Sequence, residues 1–221
     1  QMLAITVGLA DSLMVATVGD AAISAVSLVD SISNLMIYVF SAMATGGAAV
    51  AGQYIGQKHK EDACNAGQQL IALLAAVSLF FVALLYLFRP QILTTMFGHI
   101  EPDVMAATNT YYIYVMASIP GIALYNGGAA LFRTMGRSDV SLKVSLLMNS
   151  INVAGNAILI FGFGMDVAGV AIPTLISRTV AAAVILGLLF DNKLMLHLSN
   201  VRGFRLNMRL MKNIFYIGVP S

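Results

Sequence analysis

Few residues in this chain can do chemistry, and the first of them is an acid inside hydrocarbon. Asp11 interrupts an apolar stretch running from Met2 to Val18. A carboxylate at membrane depth costs roughly 2.5–3.5 kcal/mol on insertion scales, so such groups are rare and mark ion, proton or substrate pathways. A buried carboxyl can take up a proton while its pocket is dry and release it once the pocket wets. It can equally serve as one oxygen ligand of a metal cation.

Two stripes of polar side chains follow. Ser27, Asp30, Ser31, Asn34, Tyr38, Ser41 and Thr45 recur at steps of three and four, which puts them on one face of a helix for about five turns. Ser145, Asn149, Asn152 and Asn156 repeat the pattern further on. Neither face suits lipid, so each must meet other helices or a water-filled cavity. Asp30 and the three asparagines are read as cavity lining, and the serines and threonine as interhelical glue. Asp30 would attract a cation, with Tyr38, Tyr114 or Tyr125 placed to stack on it. Arg178 stands in the middle of another apolar segment, and its expected partner is Asp30 or Asp11, unless it snorkels. His59, His99 and His197 fall in loops and read as solvated surface residues.

The elements that must position these residues are membrane helices. The chain is 59% hydrophobic and only 10% charged over 221 residues, with mean hydropathy +0.85. Soluble domains carry about 25% charged residues, so the bilayer must solvate most of this surface. A helical span needs about 20 apolar residues, and six blocks qualify. They run from Gln1 to Val18, Ala21 to Gln53, Ala63 to Phe88, Val104 to Met135, Val140 to Phe163 and Val167 to Phe190. The expected fold is therefore all-α: a six-helix lobe over 1–190, a basic connector over 191–210, and over 211–221 the opening of a further helix. The sequence reads as truncated at both ends. Cys64 is the only cysteine, which excludes an intrachain disulfide.

Charge sets the expected orientation. Lys58, Lys60, Arg133, Arg137, Lys143, Lys193, Arg202, Arg205, Arg209 and Lys212 are ten of the twelve basic residues, and all lie in alternate connections. By the positive-inside rule the N-terminal flank and the connector after span 6 are cytoplasmic. Basic residues scattered in this way form no stripe for nucleic acid. Small residues at 46–49 and 127–130 allow close helix approach, and Pro120 and Pro173 permit kinks in spans 4 and 6.

Taken in order, several segments resemble the multidrug and toxic compound extrusion (MATE) family. They are Gly8-Leu-Ala-Asp11-Ser12, Val18-Gly19 with Ala25 to Leu28, and Ala51-Gly-Gln53-Tyr-Ile-Gly56. Next come Pro120 with Leu131-Phe-Arg133-Thr-Met-Gly136-Arg-Ser-Asp139, Asn152 to Asn156 with Ile160-Phe-Gly162, Gly169 to Thr174, and finally Ile217 to Ser221. The resemblance implies one lobe of a two-lobe, twelve-helix transporter whose second six-helix lobe is its partner. It implies export of organic, often cationic compounds in exchange for Na⁺ or H⁺, with no other cofactor. It also implies that Asp11 couples to the ion, surrounded by Asn152, Asn156 and Thr174; from the polar faces and tyrosines themselves, Asp30, Asn34, Tyr38, Tyr125 and Asn149 are read as lining the substrate cavity. Asn156 departs from members carrying aspartate there, which leaves one formal negative charge in the matching set. The carboxylate, the amide oxygens and the Thr174 hydroxyl would make a hard-oxygen site for Na⁺. Protonation of Asp11 alone would serve H⁺.

Other classes fit less well. The chain has no H-E-x-x-H for a membrane metallopeptidase and no G-x-x-x-x-G-K-[ST] for an ATP-driven pump. A lipid-linked saccharide flippase of the same broad superfamily is the main alternative, but such proteins carry several cavity cations, and here Arg178 alone is deep. A non-transporting scaffold leaves Asp11 and Asp30 unexplained.

Overall fold

In the computed structural model, residues 14–97 and 101–198 are described. Most of the first span, with Asp11, therefore lies outside the described residues, as do His99 and everything after Leu198, including the expected opening of a second lobe. Residues 14–18 are helical and lead into Gly19. Gly19 has φ 128°, a conformation that L side chains rarely adopt, and its carbonyl accepts the amides of Ala22 and Ile23. One residue thus turns the chain from the first span into the second.

The described chain then runs through α1 (Asp20–Gly56), α2 (Lys60–Leu87), α3 (Arg89–Phe97), α4 (Pro102–Ala117), α5 (Ile119–Thr134), α6 (Ser138–Ala157), a π-helical turn (Ile158–Gly162) and α7 (Ala168–Leu189). Five elements are long and apolar enough to cross a bilayer: α1, α2, α4 with α5, α6 with the π turn, and α7. These are spans 2 to 6 of the sequence reading, each end within a few residues of expectation. Backbone polar groups have no water partner in hydrocarbon, so uninterrupted helix is the expected form.

Span 4 departs from that form at a physically legible place. Pro120 has no amide proton to continue the ladder, and the helix breaks at Ser118. The Ser118 hydroxyl turns back and donates to the Val115 carbonyl at 2.6 Å. Most of this broken span is buried, while less than half of any other described span is, so it forms the centre of the lobe. Glycine makes that centrality possible. A Cβ on Gly127 would lie 2.5 Å from Leu74 of α2, one on Gly128 2.8 Å from Ile185 of α7, and one on Gly121 3.0 Å from the backbone of Arg178. Without hydrophobic drive between helices in lipid, close van der Waals packing of this kind holds the lobe together.

Alternate connections gather at the same end. Asp20, Glu101, Asp103 and Asp166 line two open depressions of about 580 and 710 Å³ between α1, α4 and the start of α7. At the opposite end the Thr134 hydroxyl donates to the Ala48 carbonyl at 3.4 Å, joining span 4 to span 2 beside the basic connections. Among the described residues, four acidic side chains thus gather at one end of the lobe.

Candidate functional site

Spans 5 and 6 bring three of the expected coupling residues together. The Asn152 amide donates to the Thr174 hydroxyl at 3.1 Å, and Thr174 in turn donates to the Val170 carbonyl at 3.0 Å. Asn156 follows one helical turn after Asn152 and is fully buried, while Thr174 is 8% exposed. The spans approach this closely because Gly155 sits against Pro173, where a Cβ would lie 2.7 Å from the proline ring. Pro173 removes one helix hydrogen bond in α7, and the π turn begins two residues after Asn156. π turns are rare and recur at functional sites. The result is a small patch of amide and hydroxyl groups between two spans, next to a π turn on one and a proline on the other. Asn149, one turn earlier, is half-buried on the same side of α6. Asp11 lies outside the described residues.

The polar stripe of span 2 has a different setting. Ser27, Ser31, Asn34, Ser41 and Thr45 are exposed, and Tyr38 is 72% exposed, whereas Ala22, Ala25, Val29, Ile32, Ser33 and Phe40 turn inward. The stripe is therefore an outer face of the lobe and not packing between its described helices. Ser31 and Thr45 donate to the carbonyls of Ser27 and Ser41 on their own helix, at 3.0 and 2.9 Å. Such back-bonding satisfies a hydroxyl without committing it to a neighbouring helix.

Asp30 and Arg178 mark a second polar region, at the junction of spans 2, 4 and 6. Asp30 is half-buried and accepts a hydrogen bond from the Tyr111 hydroxyl of α4 at 3.2 Å. Arg178 Nη1 donates to Ser118 at the break in span 4, at 2.8 Å, and to Ser33 on span 2, at 3.4 Å. Ser33 is one turn from Asp30, and residues so spaced are neighbours on a helix surface. The guanidinium thus ties three spans at the level where span 4 bends. Sequence reasoning found Arg178 and Asp30 but not Ser118 or Tyr111, whose roles depend on the bend.

Tyr125 is placed elsewhere. It is 9% exposed and donates to the Ser141 carbonyl at 3.3 Å, between α5 and α6 and not on the exposed stripe. His197 also differs from its expected solvated state. It is half-buried with Nδ1 3.7 Å from the Cys64 sulfur.

Comparison with known proteins gives this geometry a family. The MatE family pattern matches residues 1–158. The chain is 29% identical over 219 residues to an uncharacterized transporter, YisQ, of Bacillus subtilis, covering 97% of this chain and 47% of that protein. It is 29% identical over 119 residues to the multidrug export protein MepA of Staphylococcus aureus, covering 54% of this chain and 26% of MepA. Among solved structures, it resembles an outward-facing multidrug resistance MATE family transporter with TM-score 0.90 and 21% identity, over 98% of this chain and 48% of that one. An inward-facing MATE family transporter matches with TM-score 0.87 and 22% identity, over 96% and 48%. The chain spans about half the length of the curated relatives it matches. With the family pattern spanning most of the sequence and the helical lobe reproducing one half of such a fold, this chain, a multi-pass membrane protein, belongs to the MatE family.

Proposed function

We propose that the chain forms the N-terminal lobe of a cation-coupled antiporter that exports organic, often cationic compounds by alternating access. The observation that carries this reading is the hydrogen-bonded Asn152 and Thr174 pair beside fully buried Asn156, between spans 5 and 6. Amide and hydroxyl oxygens held at membrane depth are suited to replacing part of the hydration of a small cation, and to receiving a carboxyl that binds or releases a proton. Asp11 is assigned that carboxyl. The exposed polar face of span 2, with Asn34 and Tyr38, is assigned to the substrate cavity facing the second lobe, since the same face would be unfavourable against acyl chains. Asn149 extends that lining from span 5. Tyr125 is assigned to packing. The basic end of the lobe is assigned to the cytoplasm.

MepA's description as a multidrug export protein supports the substrate class. Arg178 is bound at the span 2, 4 and 6 junction, which gives no support to a cationic cavity of the kind a pyrophosphate-linked flippase needs. The test is export by the full-length parent in vesicles under an imposed Na⁺ or pH gradient, with a fluorescent organic cation as probe. Export that follows one gradient and stops when it is dissipated supports the reading. Export indifferent to both gradients removes it.

A further inference from the structure

The segment that leaves span 6 is docked on the lobe. Residues 194–198 carry leucine at every second position, and Leu194, Leu196 and Leu198 are 7%, 0% and 7% exposed, while the intervening Met195 is 57% exposed. The segment turns at Asn192 and Lys193, where the Leu194 amide donates to the Asp191 carbonyl at 3.0 Å, and then bends, with the three leucines on its buried side. Leu196 fills a notch in α2 at Gly67, where a Cβ would lie 2.9 Å from its methyl group. Cys64, one turn before Gly67, clasps the segment. Its thiol donates to the Met195 carbonyl at 3.9 Å, and its sulfur accepts the His197 amide at 3.5 Å. The Leu198 amide returns to the Leu189 carbonyl at the end of α7 at 2.8 Å.

We propose that this segment is a strap that pins the start of the inter-lobe connector against the first turns of span 3 and returns it to the end of span 6, and so couples the two lobes more tightly than a free linker would. The coupling rests on the two-lobe reading above; the docking does not. Drawn out, eight residues reach about 26–29 Å, and because Leu198 is held back at Leu189, releasing the strap would lengthen the tether by up to that amount. Extra slack of this size lets one lobe move without displacing the other.

Cys64 reports the strap directly, because local opening controls access to a buried thiol. The experiment uses the full-length parent, with any cysteine beyond this chain replaced by serine, and follows maleimide labelling of Cys64 together with gradient-driven export. Two variants open the dock from opposite sides: Leu196→Ser removes the plug, and Gly67→Val fills the notch. The wild type should label at least about tenfold more slowly than the denatured protein, and each variant should recover most of that factor. Both variants should slow export while leaving the substrate concentration for half-maximal rate unchanged. Wild-type labelling at the denatured rate, or variants that label like wild type, would overturn the docking. Faster labelling with export intact would overturn the coupling. A wild type that exports under no gradient fails the transport reading and the coupling with it, and labelling then decides the dock alone.

Discussion

Gly155 controls the distance between the two spans that carry the proposed ion site, and replacing it by alanine should be felt there first. The new Cβ would stand 2.7 Å from Pro173 Cβ and 3.0 Å from its Cγ. Carbon atoms pack best at roughly 3.5–4.0 Å, so the shortfall is about 0.8–1.3 Å. A proline ring cannot rotate away, so spans 5 and 6 must separate by most of that distance. The Asn152 to Thr174 hydrogen bond, 3.1 Å long and within one turn of the contact, would then be broken. Overpacking costs about 1–3 kcal/mol, and a hydrogen bond between membrane helices averages about 0.6 kcal/mol. Better helix propensity returns about 0.5–1 kcal/mol, which leaves a net loss of about 0.6–3 kcal/mol. Gly187 on α7 is the control, because a Cβ there meets nothing within 4 Å. Gly187→Ala should stabilise by up to about 1 kcal/mol from propensity alone. Reversible unfolding of the full-length parent in detergent would rank the two variants against wild type. If Gly155→Ala proves as stable as Gly187→Ala, the close approach does not constrain the spans as argued.

Two further outcomes follow from the same contacts. Arg178→Met leaves Ser33 and Ser118 without their charged donor, and since hydrogen bonds to charged groups contribute about 1.5–3 kcal/mol, stability should fall by that order, with Arg178→Lys recovering part of it; equal stability of wild type and Arg178→Met would show that the junction contributes nothing. Thr174→Val keeps the shape but removes the acceptor for Asn152, so thermal stability should drop by less than about 1.7 kcal/mol while the coupling-ion concentration giving half-maximal export rises several-fold; an unchanged ion dependence would remove Thr174 from the proposed site.

What the sequence made legible follows from the bilayer's demands. Hydrocarbon must be crossed by about 20 apolar residues, so spans 2 to 6 stand out as blocks. Polar side chains at steps of three and four had to share a face, and the stripe from Ser27 to Thr45 does so on the exposed side of α1. Asn152 and Thr174 were placed together by family resemblance, and the structure brings them within 3.1 Å. Local composition could not show the rest. Pro120 signalled a kink, but that its bend offers Ser118 to Arg178 depends on how three spans pack. The π turn at Ile158–Gly162 is mostly ordinary apolar sequence and carries no proline. Tyr125 looked the same as Tyr38 in a list of membrane tyrosines, yet one is 9% and the other 72% exposed. The strap was hidden by its position after a hydrophobic span, where Lys193 and the later arginines dominated its alternating leucines.

The most direct test of the account is to replace Asp11 by asparagine in the full-length parent and measure gradient-driven export in vesicles alongside folding in detergent. The account predicts a folded protein that still binds its organic substrate but no longer exports it against a concentration difference under a Na⁺ or pH gradient. Export at the wild-type rate, with the same dependence on the gradient, would contradict it.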